Sequence, residues 1–286
     1  MIKPQRTIEQ ALSEAKHALK SAGIDLHHLE AELLLAHTLE KTREYVIGYP
    51  EATVNQELYT LYQSFIKRRI DHEPYALIVG SQEFWGRAFN VSSETLIPRP
   101  DTETLIEAAL TLFKDKNQPL RIIDLGTGTG CLLLTLLAEF PCATGIGIDI
   151  NENTLEIAKT NAVHLGLAKR GEFQLRSFGE DVDGRFDLVI TNPPYIVSSD
   201  IASLEPNVRD YEPHRALSGG EDGLEHYRKI IPTLPNIVPS GGWFICEIGN
   251  HQETEVASLL GNIGFHVHEL RRDLSGIIRC VVANRP

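Results

Sequence analysis

From residue 120 onward, short apolar segments alternate with longer segments of helical period. The short segments are expected to be strands, and they are RIIDL (121–125), TGIGIDI (144–150), GEFQLR (171–176), FDLVIT (186–191), GWFICEI (242–248), FHVHELR (265–271) and IIRCVVA (277–283). Strands that alternate with helices predict an α/β fold with a doubly wound, mainly parallel sheet. Too few residues separate the last two strands for a helix, so we expect them to pair as an antiparallel C-terminal hairpin.

The first part of the chain has a different period. Apolar residues recur at helical spacing through residues 1–73, beginning with Ile8 and Leu12, which predicts a small helical bundle. This bundle contains no catalytic constellation, so we interpret it as a packing or partner-binding domain. Residues 74–96 alternate apolar and polar side chains, which favours a β-hairpin linker, and residues 97–286 form the second domain.

Prolines mark two further points in the second domain. Pro98 and Pro100 predict an extended entry, because a residue before proline avoids the helical region. Asp101 is then expected to cap the helix that follows. Two prolines after Gly223 are expected to break the helix that starts there.

The charge balance argues against a phosphate backbone as a partner. The net charge is −12 and the pI is near 5.4. Tight binding to nucleic acid needs a basic surface. The one basic run, Lys67–Arg69, is interpreted as the solvated face of a helix. Direct binding of nucleic acid is therefore not expected, although a local patch would still permit it as a substrate.

The four cysteines are far apart in the sequence, and none forms a Cys-x-x-Cys pair. Neither a disulfide framework nor a zinc site is expected, and the histidines show no spacing typical of metal ligands. The longest apolar runs fall short of a membrane span, and the N-terminal residues lack the apolar stretch of a secretory signal. We expect a cytoplasmic protein that binds neither a membrane nor a metal.

A glycine-rich loop directly follows the first strand of the second domain. Its residues are Asp124, Leu125, Gly126, Thr127, Gly128, Thr129 and Gly130, and a helix follows at once. Glycines here let the backbone turn sharply and approach a ligand closely. A nicotinamide-binding fingerprint would have its third glycine at Cys131, and Asp124 suits a cationic amino-acid group better than a pyrophosphate. The loop therefore predicts an adenosyl ligand.

Two residues further along the chain are candidates for contacts with this ligand. Asp149 ends the second strand, where a carboxylate can accept hydrogen bonds from both ribose hydroxyls. It is also interpreted as the N-cap of the next helix, and the two roles are compatible. Phe178, just after the third strand, either offers an apolar face to adenine or is an ordinary loop aromatic.

The fourth strand ends in Asn192, Pro193, Pro194 and Tyr195. Ligands of open α/β sheets bind beyond the carboxyl ends of the strands, so these residues are expected to face the adenosyl ligand. Because proline has no N–H group, the segment presents acceptors. The Asn192 side-chain oxygen and the Pro193 carbonyl are expected to accept both hydrogens of an –NH₂ group. Such a site suits a nitrogen conjugated to a carbonyl or a ring, on which Tyr195 is expected to stack.

These segments together resemble the HemK/PrmC family, the release factor glutamine methyltransferases. Asn-Pro-Pro-Tyr behind a Gly-x-Gly-x-Gly loop is shared by class I methyltransferases that act on conjugated amino groups. Further segments narrow the resemblance to this family, and they are Ile97–Glu103, Tyr211–Pro213, Ala216–Leu217 and Gly219–Leu224. The resemblance covers essentially the whole chain.

The resemblance implies a class I methyltransferase fold, S-adenosylmethionine as cofactor, and methylation of a glutamine side-chain amide nitrogen. That glutamine is the one in the Gly-Gly-Gln motif of class-1 peptide chain release factors. The residues implied to bind the cofactor are Gly126, Thr127, Gly128, Thr129, Gly130 and Asp149, to which position adds Asp124, Phe178 and Asn192. Asn192, Pro193, Pro194 and Tyr195 are implied to form the catalytic site that holds the glutamine, with Arg99 and Glu103 nearby. The N-terminal helices are implied to bind the release factor.

Two departures and three alternatives accompany this resemblance, and the helix broken by Pro232 and Pro235 after Gly223 is one of the departures. Ser177-Phe178 stand where the family often has an acid followed by a bulky aromatic, which leaves the adenine contacts open. A nucleic-acid amino-group methyltransferase would share Asn-Pro-Pro-Tyr, but the net charge of −12 and the helical N-terminal domain disfavour it. A nicotinamide-dependent oxidoreductase conflicts with the glycine spacing. A non-catalytic adenosyl-binding module would have no use for the acceptor tetrapeptide.

Overall fold

The computed structural model describes residues 6–180 and 182–286. The first five residues of the predicted helical domain, and Asp181 in the second domain, lie outside this description. Within it the chain forms two compact units. The first extends to Gly80 and also includes Pro206–Tyr211, and the second comprises Ser81–Glu205 and Glu212–Pro286.

The first unit is helical. Its elements are α1 (Ile8–Ser21), α2 (His27–Leu39), α3 (Arg43–Gly48), α4 (Gln56–Ile70) and α5 (Tyr75–Val79), with a short antiparallel pair of Arg6–Thr7 (β1) and Thr53–Val54 (β2). A capping box begins α1, because the Thr7 hydroxyl accepts from the Gln10 backbone and the Gln10 side chain accepts from the Thr7 backbone. The apolar faces of α1, α2 and α4 form one core, in which Leu19, Leu34 and Tyr62 are fully buried.

The basic run in α4 is largely neutralised within the first unit. Arg68 lies 2.5 Å from Glu73, and Arg69 lies 2.5 Å from Glu30. The run therefore lies on a helix, as predicted, but it is not fully solvated, because Arg69 is mostly buried against its partner. Two of the three positive charges in the run are therefore paired within the first unit.

The second unit begins with a β-hairpin that is shorter than the predicted 74–96 linker. Its strands are β3 (Ser81–Phe84) and β4 (Arg87–Asn90). The expectation of a hairpin strand before Gly80 is wrong, because residues 75–79 are helical. Pro74 is the N-cap of α5, and Gly80 ends that helix in the left-handed conformation with φ +75°.

A seven-stranded sheet makes up the centre of the second unit. Its strands are β5 (Arg121–Leu125), β6 (Thr144–Asp149), β7 (Gly171–Leu175), β8 (Leu188–Thr191), β9 (Trp243–Glu247), β10 (His266–Arg272) and β11 (Ile278–Asn284). Their spatial order is β10-β11-β9-β8-β5-β6-β7, and the strands from β9 to β7 run parallel. Strand β11 pairs antiparallel with both β9 and β10. The mainly parallel sheet with an antiparallel C-terminal hairpin is confirmed.

Helices cover this sheet. They are α6 (Glu103–Leu112), α7 (Cys131–Glu139), α8 (Glu152–His164), α10 (Glu225–Ile230), α11 (Leu234–Ile237) and α12 (Glu253–Asn262), while α9 (Pro206–Arg209) belongs to the first unit. The expected break after Gly223 is confirmed, because Pro232 lies in a 3₁₀ turn between α10 and α11. Pro235 then lies in the first turn of α11.

Asp101 does not cap α6 as expected. Pro100–Thr102 form a 3₁₀ turn that leads directly into the helix, so Asp101 lies inside this turn, and no side chain caps α6. The Asp101 backbone carbonyl instead accepts a hydrogen bond from Thr104 Oγ1 at 2.7 Å. Thr102, the last residue of the turn, is almost fully buried.

Alternation along the central strands separates two layers of core. Ile122 in β5 and Ile190 in β8 pack on the face covered by α6 and α7. Ile123 and Val189, their sequence neighbours, pack on the face covered by α10, α11 and α12. Because both faces are covered, the central strands are continuously apolar, and polar residues appear where the strands end.

Candidate active site

The loop between β5 and α7 is tied to the neighbouring strand β6. The backbone N–H groups of Gly126 and Thr127 both donate to the Ile148 carbonyl, at 2.9 and 2.8 Å. Gly126 has φ +74°, and a Cβ there would lie 2.9 Å from Cζ of Phe178. An L-residue would be strained both by this conformation and by the phenyl ring. Position 126 therefore requires glycine for two separate reasons.

A buried asparagine supports the far end of this loop. Asn161 in α8 is fully buried, and its Nδ2 donates to the Thr129 carbonyl at 2.9 Å. Its Oδ1 accepts from the Asn90 backbone at 2.8 Å. Sequence analysis missed Asn161. The signal that could have revealed it is a polar amide among the inward-facing positions of α8. The glycine loop is thus connected to both the hairpin and α8.

Two backbone amides orient Asp149 at the end of β6. Its Oδ2 accepts from Gly128 at 3.1 Å, and its Oδ1 accepts from Asn151 at 3.0 Å. The alternative role of Asp149 as a helix N-cap is wrong, because Asn151 caps α8 through a 3.2 Å hydrogen bond from the Thr154 backbone. Burial raises the pKa of Asp149, and the two amides oppose this effect.

These segments surround a cavity of about 380 Å³. This volume falls within the range of small-molecule sites, roughly 300–1,000 Å³. The predicted site residues that line it are Arg99, Gly126, Thr127, Gly128, Thr129, Asp149, Phe178, Asn192 and Pro194. The structure therefore brings together the glycine loop after β5, Asp149 at the end of β6 and Asn192 just after β8.

Five predicted site residues, Asp124, Gly130, Glu103, Pro193 and Tyr195, do not line this cavity. Gly130 is the residue before α7, with φ +80°. Glu103 directly follows Thr102, which does line the cavity, but its carboxylate accepts from the Trp85 backbone at 2.8 Å, so its role in substrate binding stays a prediction. Pro193 is buried, and its carbonyl as a second acceptor stays a prediction.

Asp124 is almost fully buried beside the glycine loop. Its Oδ2 accepts from Thr127 Oγ1 at 2.7 Å, and its Oδ1 has no hydrogen-bond partner among the described residues. Burial raises the pKa of Asp124 to about 7. The expected direct contact with a ligand is not supported, because this carboxylate lies behind Thr127 rather than on the cavity wall.

Arg99 lines the cavity and is held by an ion pair. Its guanidinium donates to Glu212, a buried carboxylate that also accepts from the Ile97 backbone at 3.1 Å. Burial raises the pKa of Glu212, and the Arg99 charge opposes this effect. Glu212 belongs to the Tyr211–Pro213 segment noted in the sequence, and the structure shows that it fixes the backbone and side chain of the 97–99 segment.

The Asn192 carboxamide is oriented by a contact outside β8. Its Nδ2 donates to Thr102 Oγ1 at 3.1 Å, and the residue lines the cavity. The donor side of the amide is thus engaged, and Oδ1 is the group that can accept from a ligand. Sequence analysis gave Thr102 no role, although it lies within the Ile97–Glu103 segment.

Tyr195 differs from expectation. Its hydroxyl donates to Glu247 Oε1 at 2.9 Å, so the ring is held away from the cavity rather than free to stack on a bound group. Glu247 is fully buried at the end of β9, and a buried carboxylate needs donors. The acid at the end of an apolar strand is the sequence signal for Glu247, which was missed.

An uncharged aromatic wall lies on the glycine-loop side of the cavity. The Phe178 ring packs edge to face on His226, with centroids 5.2 Å apart. Nε2 of His226 lies 3.0 Å from the Ser218 carbonyl, and burial lowers the pKa of the imidazole. Phe178 is therefore part of a packed wall, and its contact with adenine stays a prediction.

A parallel sheet with a glycine loop after one strand and an acid after the next, around a cavity of this size, defines a class I methyltransferase. A family model for a methyltransferase domain matches residues 116–230, and one for the PrmC N-terminal domain matches residues 10–80. A release factor glutamine methyltransferase from Rhodospirillum rubrum is 42% identical over 267 residues, which cover 93% of this chain and 82% of the relative. One from Bradyrhizobium diazoefficiens is 40% identical over 98% of this chain and 95% of the relative. The chain belongs to the release factor glutamine methyltransferase family.

A solved methyltransferase from Pyrococcus furiosus has the same fold, with a TM-score of 0.51 at 14% identity over 78% of this chain and 97% of that one. The chain is an enzyme, and S-adenosylmethionine is its cofactor. The oxidoreductase and the non-catalytic interpretations are therefore wrong.

Within residues 6–180 and 182–286, no helix is long and apolar enough to cross a bilayer. The described part of the chain also contains no group of three or more His, Cys, Asp or Glu side chains that could hold a metal ion.

Proposed function

We propose that this enzyme methylates N5 of the glutamine side chain in the Gly-Gly-Gln motif of class-1 peptide chain release factors. The names of its relatives support a release factor glutamine as the substrate. One structural observation carries the assignment of the site. Asn192 turns its amide donors to Thr102 and keeps its side-chain oxygen for a ligand in the cavity.

Residues 126–129 and Asp149 are proposed to hold S-adenosylmethionine. The loop fits such a ligand because it lines the cavity and because nothing lies within 4 Å of the position that a Cβ would take at Gly128, where the backbone is open to a close approach. The Asp149 carboxylate fits ribose hydroxyls because two backbone amides already orient it. Phe178 is proposed to contact the adenine ring, because it lines the same cavity. When bound, the cofactor supplies an electrophilic methyl group on a sulfonium centre.

An amide nitrogen is a weak nucleophile, and the proposed role of Asn192 is to make its lone pair available. The lone pair of that nitrogen is conjugated into the carbonyl group and becomes available only as the nitrogen turns pyramidal. Oδ1 of Asn192 and the Pro193 carbonyl would each accept one N–H of the substrate amide, at about 2.9 Å. These hydrogen bonds strengthen as the new C–N bond forms and positive charge develops on the nitrogen, so they favour the transition state over the ground state. No strong base is required before transfer, because the nitrogen becomes acidic only once it is methylated, and it then loses a proton to solvent.

The helical first unit is proposed to bind the release factor away from the site of chemistry. Ile47 and Tyr49, around the end of α3, are more than half exposed, and exposed apolar side chains of this kind are common anchors in protein interfaces. The division of roles between residues 1–73 and residues 97–286 stays a prediction. So does the cytoplasmic location that a release factor substrate requires.

The test is mass spectrometry of release factor peptides after incubation with the enzyme and S-adenosylmethionine. One methyl group is expected on the peptide that contains the Gly-Gly-Gln motif, with fragmentation that places it on the glutamine side chain. A release factor with alanine in place of that glutamine is the control and should stay unmodified. Methyl transfer to DNA or RNA, with none to the release factor, would contradict the proposal and favour the nucleic-acid alternative.

A further inference from the structure

The side chains of Thr102, Glu247 and Tyr195 form a series of hydrogen bonds that reaches Asn192 on the cavity wall through Thr102. Thr102 Oγ1, in the turn before α6, donates to Oε2 of Glu247 at 2.6 Å. The Tyr195 hydroxyl donates to the other oxygen of the same carboxylate at 2.9 Å. Nδ2 of Asn192 in turn donates to Thr102 Oγ1 at 3.1 Å. A continuous chain of hydrogen bonds therefore runs from Glu247 to the proposed catalytic amide.

The direction of this chain follows from the chemistry of its groups. A carboxylate only accepts hydrogen bonds, and a hydroxyl has a single proton to donate. Because Thr102 donates its proton to Glu247, it can only accept from Asn192. The group of Asn192 that faces Thr102 must then be the –NH₂, which places Oδ1 on the opposite side of the carboxamide.

We propose that Thr102 and Glu247 are positioning residues that hold the Asn192 carboxamide with its oxygen toward the substrate nitrogen. The proposal rests on the role assigned to Asn192 under the proposed function. A carboxamide turned by half a rotation would present donors to the –NH₂ of the substrate glutamine, and two donors do not form a hydrogen bond. The polarity of the Glu247–Thr102 pair thus decides whether the site accepts or repels an amide nitrogen.

The burial of Glu247 is consistent with this role. The residue is 2% exposed at the end of a central strand, a place where an acid is costly unless donors satisfy it. Burial raises its pKa, while Thr102, Tyr195 and the nearby positive charge of Arg279 oppose this effect. A valine or leucine would fill such a strand end without an ionisable group. The presence of an acid at position 247 is therefore explained by the hydrogen bonds that its carboxylate accepts, and packing does not explain it.

The test compares hydroxyl and methyl groups at position 102. Thr102→Val keeps the shape of the side chain and removes the hydroxyl, so that nothing holds the Asn192 amide in one orientation. We expect kcat for release factor methylation to fall about tenfold to a hundredfold, the loss of a charge-assisted hydrogen-bond chain. The Kd for S-adenosylmethionine should stay within about twofold, and Thr102→Ser should restore most of kcat.

Thr104 offers a matched control two residues away. Its hydroxyl donates to the Asp101 carbonyl at 2.7 Å and has no link to Asn192. Thr104→Val therefore removes a comparable hydrogen bond from the same segment, and kcat should stay within about twofold of wild type. If Thr104→Val lowers kcat as much as Thr102→Val does, the effect is one of local folding and the positioning role is overturned.

Glu247→Gln is the second variant, and it keeps the size of the side chain. Its amide must donate to one of the two hydroxyls that now donate to it, which disturbs the direction of the chain. We expect kcat to fall in this variant too, even if Thr102→Val does not fold. Wild-type kcat in Glu247→Gln and Thr102→Val, with Asn192→Ala inactive, overturns this inference alone. Wild-type kcat in Asn192→Ala overturns the proposed function as well.

Discussion

The two halves of the cavity are built in different ways. The cofactor half consists of the glycine loop 126–129 and Asp149, and backbone amides of the loop donate to the Ile148 carbonyl and to the Asp149 carboxylate. The acceptor half depends on side chains that come from distant segments, since Thr102 lies 90 positions from Asn192 and 145 from Glu247. The first kind of site can be recognised from a short stretch of sequence. The second kind depends on contacts that only the folded structure reveals.

The sharpest way to break this comparison is to remove the acceptor. Asn192→Ala should lower kcat on the order of 10²–10³-fold, about 3–4 kcal/mol of transition-state stabilisation, the effect of deleting one preorganised hydrogen-bonding group. The Kd for S-adenosylmethionine should change little, because the cofactor half does not depend on this side chain. Methylation rates and calorimetric binding on the same preparation measure both. A parallel loss of cofactor affinity would show that the two halves are not separate.

The converse change belongs to the cofactor half. Asp149→Ala should weaken binding of S-adenosylmethionine by about 1–3 kcal/mol, the scale of lost charged hydrogen bonds. At saturating cofactor, kcat should remain close to that of wild type. Calorimetric titration gives the affinity, and methylation at several cofactor concentrations gives kcat. An unchanged Kd would remove Asp149 from the binding site.

Two glycines of the loop offer a finer comparison. Gly126→Ala should weaken cofactor binding by about 1–2 kcal/mol, because φ is +74° and the new methyl group would lie 2.9 Å from the Phe178 ring. Gly128→Ala is the matched variant, since its φ is +57° but nothing lies within 4 Å of a Cβ there. It should cost less than Gly126→Ala. Equal costs would mean that the phenyl ring moves freely and that backbone conformation alone decides the effect.

The smallest expected effect concerns Asp124 and pH. Because its folded pKa is raised to about 7, the folded state holds this proton more tightly than the unfolded state does. The free energy of unfolding therefore falls as the pH rises from the ordinary pKa of an aspartate to the folded pKa of Asp124, about 7. Between about pH 6 and about pH 8, wild type should lose about 1 kcal/mol more than Asp124→Asn. Both tryptophans, Trp85 and Trp243, lie in the second unit, so denaturant titrations followed by tryptophan fluorescence report on it. Parallel pH profiles of the two proteins would contradict the raised pKa.

Much of the second unit was predictable from sequence because its signals are local. The central strands are buried on both faces and therefore continuously apolar, so their positions in the sequence match the structure closely. The loop from Gly126 and the acid at Asp149 follow strand ends, where parallel topology brings them together. The antiparallel end of the sheet followed from the short connection between β10 and β11.

Other features were not predictable because they depend on tertiary contacts. Tyr195 has the side chain expected of a stacking residue, and only the position of Glu247 reveals that its hydroxyl is engaged elsewhere. Asp101 has the composition of a cap, but a 3₁₀ turn takes its place. Glu103 faces the hairpin because Trp85 happens to present a backbone donor there. For Tyr195 and Glu103 a partner from another segment overrides the local rule, whereas at Asp101 the local backbone turn does so.

The first unit contains a segment, Pro206–Tyr211, that the chain reaches only after building most of the second. Its last residue, Tyr211, donates from its hydroxyl to the Asp71 carbonyl at 2.5 Å. During synthesis, at roughly 5–20 residues per second, the N-terminal helices leave the ribosome on the order of ten seconds before that segment does. Until the segment emerges, the N-terminal helices lack the contacts that it makes, including the hydrogen bond from Tyr211 to the Asp71 carbonyl. Completion of the first unit is thus linked in time to the emergence of the strand that ends at Thr191.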